Sequence, residues 1–154
     1  MTRADAVKRP VLVASVLIAS LGAALAGGAL QGGAYEVEVR LELPHIEDRI
    51  ARKTATVCIA DGASDGTSGL AVLSDNNPLA DCPARNVRAG AVWLSFEIVC
   101  AGGNAATASA AYMLAADRFE GRIAMKMGGK NMTITETQVG RRIGPCQPPG
   151  APRS

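Results

Sequence analysis

The stretch TASAAYMLAADRFEGRIAMKMGGKNMTITETQV, residues 107–139, contains three runs of alternating apolar and polar residues separated by turn signals. Period two marks half-buried β-strands, and such runs joined by short turns make an antiparallel meander. Gly128-Gly129 is the clearest turn signal in the chain, because two glycines accept the positive φ of a two-residue hairpin loop. A hairpin centred there places Met125 opposite Met132 and Ile123 opposite Ile134. A turn centred on Ala116-Asp117 places Leu114 opposite Phe119 and Ala110 opposite Ile123. Both registers gather apolar residues on one face, although neither turn imposes that on the other.

The same alternation extends in both directions from this stretch. In VWLSFEIVC (92–100), Val92, Leu94, Phe96, Ile98 and Cys100 share a face, with Trp93, Ser95, Glu97 and Val99 opposite. In YEVEVRLEL (35–43), Tyr35, Val37, Val39, Leu41 and Leu43 point one way, while Glu36, Glu38, Arg40 and Glu42 point the other. TATVCIA (54–60) is a shorter β candidate, rich in β-branched residues. Residues 61–81 are loop-like, punctuated by two Asp-Gly pairs and Asn77-Pro78. They read as a solvated loop, with a short helical turn over 69–74. Their acidic residues lack the alternating oxygen ligands of a calcium loop. The expected fold is therefore all-β, an antiparallel meander curled into a small barrel or curved half-barrel, broadly lipocalin-like. Its apolar interior, the candidate ligand-facing surface, comprises Val37, Val39, Leu41, Leu94, Phe96, Ile98, Phe119, Ile123, Met125, Met132 and Ile134.

The first residues read differently. MTRADAVKRPVLVASVLIASLGAALAGGAL has a basic start, then a long uncharged run with small residues at Ala24 and Ala26. That is the pattern of a secretory signal peptide. The uncharged run, from residue 10 to residue 35, is also long enough for an N-terminal apolar helix retained as an inner-membrane anchor over residues 10–30. Its small residues at four-residue spacing, Ser15, Ala19, Ala23 and Gly27, would suit helix packing in a membrane. Both readings place the rest of the chain across the membrane, in the periplasm. The expected organisation is a signal or anchor at 1–26, an exported β domain at 33–146, and a disordered proline-rich tail at 147–154.

Setting aside Arg3, Lys8, Arg9 and Asp5 leaves 13 basic and 13 acidic side chains. A neutral domain carries no electrostatic footprint for nucleic acid. Aromatic residues make up only 3% of the chain, so aliphatic and methionine side chains must supply most of the core.

Cys58, Cys82, Cys100 and Cys146 all lie in the exported part. An even number in an oxidising compartment reads as two disulfides, for which three connectivities exist. Cys82 and Cys100 flank a candidate hairpin turning near Arg88-Ala89-Gly90, which brings them together and leaves Cys58 for Cys146. A loop of that size stabilises by about 4 kcal/mol in the chain-entropy model. No C-x-x-C spacing is present to suggest zinc or dithiol redox chemistry.

The order of motifs resembles a known family. An opening strand before a proline (YEVEVRLELP) precedes VC, a second cysteine and a hairpin ending in cysteine. YMLAADRFEGRIAMKM and finally VGRRIGPC follow. The combination resembles the exported bacterial family of unknown function designated DUF3617, over roughly residues 33–146. The chain departs from that pattern with Tyr35 where tryptophan is frequent, with a Gly/Ser-rich segment between the first two cysteines, and with fewer methionines. The resemblance implies export and a β-rich fold, and carries no catalytic residue with it.

Little else suggests chemistry. The lone histidine, His45, follows Pro44 in a loop, where plain surface is the better reading. Glu36, Glu38 and Glu42 form the solvated side of a strand, their repulsion offset by Arg40. Met113, Met125, Met127 and Met132 could bind a soft metal such as Cu(I), but core filling explains them better. Arg141-Arg142 reads as exposed. The expectation is a non-enzymatic domain without cofactor or metal. It would bind a small apolar or amphipathic molecule or a protein partner; alternatively it is an anchored accessory subunit bracing a membrane-protein complex.

Overall fold

The computed structural model describes residues 30–43, 51–61, 69–102, 105–128 and 132–147. The alternating runs fold as strands: β1 (Gly33–Glu42), β2 (Ala51–Ile59), β3 (Ala84–Ala89), β4 (Trp93–Val99), β5 (Thr107–Ala115), β6 (Arg118–Met127) and β7 (Met132–Gly144). The N-terminal apolar segment, His45 and residues 148–154 of the tail lie outside the described residues.

All seven strands form one antiparallel sheet in the order β2-β1-β7-β6-β5-β4-β3. Five consecutive strands make the meander, and β1 joins its far side by pairing with β7. Of the two forms expected, the closed barrel does not form: β2 and β3 stand at opposite edges and remain unpaired with each other. β3 is poorly suited to closure, being six residues long and interrupted by a register shift beside Asn86, whose φ is +52°. Such bulges end regular pairing at a sheet edge.

One face of this sheet is apolar. Tyr35, Val37, Val39, Leu94, Phe96, Ile98, Tyr112, Phe119, Ile123 and Met125 are buried on it. The connection from β2 to β3 must travel from one edge to the other, and its described part, residues 69–83, crosses this face. Gly69 lies against Ile59 of β2, residues 71–74 bond to β7, Asn77 reaches Met125 of β6, and Cys82 is bonded to Cys100 just beyond β4. Leu70, Val72 and Leu79 are buried in the core as a result. The reading of this stretch as a solvated loop is therefore wrong. Its Gly/Asp/Asn composition reports irregular backbone, whereas its four spaced aliphatics (Leu70, Val72, Leu73, Leu79) report burial. The expected helical turn over 69–74 is absent; a 3-10 turn forms instead at Pro78–Asp81, capped by Asn77.

The β6–β7 register also differs from expectation. Met125 faces Ile134, Ile123 faces Glu136 and Phe119 faces Gly140. The two-residue loop would have set Phe119 against Gln138. In the observed pairing its ring lies over Gly140, where a Cβ would collide with it. Tyr112 covers Gly121 in the same way. A shift by two leaves every side chain on its expected face. The ladder ends at Met127–Met132, and Met132 is exposed there instead of joining the interior. Val92, in the turn before β4, is likewise exposed.

If this crossing segment, the strap (residues 69–83), supplies core and not merely a connection, truncating it must cost as much as truncating a strand. Leu79→Ala is expected to lower stability by about 2–5 kcal/mol, read by urea unfolding with the disulfides intact. Met113→Ala, on the opposite face, is expected to stay within about 0.5 kcal/mol of the parent. Equal small losses would place the strap outside the core.

Candidate functional site

Glu136 and Gln138 lie on the inner face of β7, in parity with Ile134, and both are buried. The Glu136 carboxylate accepts the backbone N–H groups of Leu73 (2.9 Å) and Ser74 (3.1 Å). Gln138 Nε2 donates to Glu136 Oε1 (2.6 Å) and to the Ala71 carbonyl (2.7 Å). Tyr112 donates its hydroxyl to Gln138 Oε1 (3.0 Å). Every polar atom in this cluster is thus engaged, and no buried side-chain polar atom among the described residues lacks a partner. The cluster ties the strap to β7 and β5.

Burial pushes the Tyr112 phenol well above its ordinary value, and the negative charge of Glu136 adds to the effect. Tyr35 is also raised by burial, against an opposing pull from Arg142. Its hydroxyl donates to the Gln31 carbonyl (2.6 Å). Arg142 departs from the expected exposed pair: Arg141 is exposed, but Arg142 is half-buried and its Nε donates to the Gly32 carbonyl (2.9 Å).

The other sequence-derived site residues divide cleanly. Val37, Val39, Leu94, Phe96, Ile98, Phe119, Ile123 and Met125 are buried, and Leu41 and Ile134 pack half-buried against them. This face is filled by the strap. Glu36, Glu38 and Glu42 point outward as a solvated row, with Glu38 paired to Arg40 (2.7 Å) and Glu42 to Arg122 (3.3 Å). The cysteines pair as Cys58–Cys146 and Cys82–Cys100, with Cα separations of 5.5 and 5.0 Å. Among the described residues no three potential metal ligands converge.

What remains is the outer face. A groove of about 430 Å³ crosses β4 to β7 there. One wall is a cross-strand row formed by Trp93, Met113, Glu120 and Val139; the other is formed by Ser95, Ala111, Arg122 and Thr137. Trp93, Met113 and Val139 are 42%, 61% and 53% exposed. The indole lies against Gly90, where any Cβ would strike it. All four Tyr and Phe rings of the chain are inside, in a continuous series with centroid spacings of 5.7–5.9 Å. The single Trp is outside. Strand parity alone could have identified this row, since Trp93 and Met113 alternate with residues assigned to the interior; grouping Met113 with the core methionines concealed it.

A family model described as a protein of unknown function, DUF3617, matches residues 30–146. The chain belongs to the DUF3617 family. No curated protein and no solved structure matches it. The DUF3617 match takes in all seven strands and ends on Cys146, the last disulfide residue. The sheet, the strap and both walls of the groove are therefore all parts of the DUF3617 region.

Two expectations follow from the buried cluster. Glu136→Ala strands two backbone donors beneath the strap and should cost about 2–4 kcal/mol, Glu136→Gln less; equal stability of Glu136→Ala and parent in urea would show that the Glu136 cluster does not hold the strap. Both tyrosines hold their protons more tightly folded than unfolded. Their contribution is therefore complete below about pH 10 and is lost as pH rises above it. Absorbance at 295 nm should lag behind free tyrosine near pH 10, then rise together with loss of near-ultraviolet circular dichroism. A smooth ionisation centred near 10 in the folded protein would contradict this.

Proposed function

We propose that this chain is an exported, non-enzymatic β domain that docks a partner protein on the outer face of its sheet. The observation that carries this reading is the exposed row of Trp93, Met113 and Val139 opposite a core already filled by the chain's own strap. Trp is among the residues that most often dominate binding energy at interfaces, and here it stands beside exposed Met113, with Val139 beyond Glu120 in the same row. A small-molecule carrier of the lipocalin kind would instead need an open interior, and Leu70, Val72 and Leu79 occupy that space here. The fully engaged Tyr112–Gln138–Glu136 cluster argues against catalysis in the core. Two disulfides with no free cysteine among the described residues favour an oxidising compartment.

Photo-crosslinking amino acids placed at 113 and 139, with Thr54 on the outer face of β2 as control, test the proposal in the intact host cell. Positions 113 and 139 should capture the same protein and position 54 should not. Absence of capture at both groove positions, together with native mass spectra showing a co-purifying amphipathic molecule, would overturn docking in favour of a carrier.

A further inference from the structure

The four methionines among the described residues are in very different environments. Met125 is 1% exposed and Met127 is half-buried, whereas Met113 and Met132 are largely solvent-exposed. Met113 stands in the groove row, directly opposite Trp93 on β4 and Glu120 on β6. Side chains paired across an antiparallel ladder lie within about 4.5–5.5 Å at Cβ, so whatever changes the Met113 sulfur changes the surroundings of the indole. All four cysteines are in disulfides. Exposed thioethers are thus the soft two-electron reductants that this surface offers.

We infer that Met113 is a reversible oxidation site for hydroperoxides, and that its oxidation state sets the polarity of the outer groove. The thioether sulfur attacks one peroxide oxygen and the O–O bond breaks. Sulfur gives up two electrons and gains an S–O bond, while the second oxygen takes both protons of hydrogen peroxide and leaves as water. The product sulfoxide is a polar acceptor in place of an apolar tip, and sulfoxide reductases return it to the thioether. Placed between Trp93 and Glu120, it wets the row that an apolar partner would have to cover. That consequence rests on the docking proposal; the site and its selectivity do not.

The test uses the full chain with disulfides intact and dilute hydrogen peroxide at neutral pH, with peptide mass mapping over time. Met113 and Met132 should oxidise about tenfold or more faster than Met125, and the rates should converge in concentrated guanidinium. In Met132→Leu, Met113 oxidation should shift Trp93 emission, and methionine sulfoxide reductase should reverse the shift. In Met113→Leu, oxidation of Met132 at the far hairpin should leave Trp93 emission unchanged. Equal rates at Met113 and Met125 in the folded protein, or an unmoved Trp93 signal after Met113 oxidation, would overturn the inference. Selective oxidation with the Trp93 shift, but no capture at positions 113 and 139, would uphold the oxidation site and remove docking alone.

Discussion

A sheet of one layer leaves an entire apolar face to be removed from water, and here the cover is irregular backbone. Helices normally do this work, because they satisfy their own N–H and C=O groups. Residues 69–83 cannot, apart from the short turn at Pro78–Asp81. Once Leu70, Val72 and Leu79 are drawn onto the sheet by burial, nearby backbone donors and acceptors lose water and must find partners. Glu136 takes the N–H groups of Leu73 and Ser74, Gln138 takes the Ala71 carbonyl, and Asn77 caps the 3-10 turn. The polar residues on the inner face of β7 are thus a consequence of how the face is covered. A buried carboxylate is expensive to desolvate. What it adds over an apolar side chain is a fixed position for the strap.

The covalent links act on the same segment. Cys58 lies near the end of β2, just before the chain leaves the edge, and Cys82 lies where the strap reaches β4. Each is bonded to a partner beyond the strap, so both ends of the crossing are held. Ordering a long irregular segment costs conformational entropy, and fixing its ends in the unfolded chain as well lowers that cost. The Cys58–Cys146 bond also ties the end of β7 to edge strand β2 across β1, keeping the open edge in place without barrel closure.

Strand positions and the facing of side chains were legible because period two is a local property: a strand shows its buried side wherever it pairs. The Ala116-Asp117 turn was legible for the same reason, with Leu114 facing Phe119 as expected. The β6–β7 register was not, because it depends on Phe119 and Gly140, which are distant in sequence and meet only in the sheet. The strap was hidden by its own composition. Gly, Asp and Asn describe how a backbone bends and say nothing about which of its side chains are buried. Glu136 and Gln138 alternate with threonines, so a polar run concealed its inward face.

The outer face then invites a comparison along its own length. Over β1 and toward Arg122 of β6 it is a charged surface, with Glu38 paired to Arg40 and Glu42 to Arg122. Toward β5 and β4 the charges give way to Ala111, Met113, Ser95 and Trp93. Folding does not require that change, since the inner face is complete without these side chains. Solubility would favour its opposite. A chain with so few aromatic residues has placed every Phe and Tyr where packing demands volume, and its one Trp on the outer face, 42% exposed. Gly90 lies against the indole at a point where any Cβ would strike it, so the position of the ring depends on a residue without a side chain.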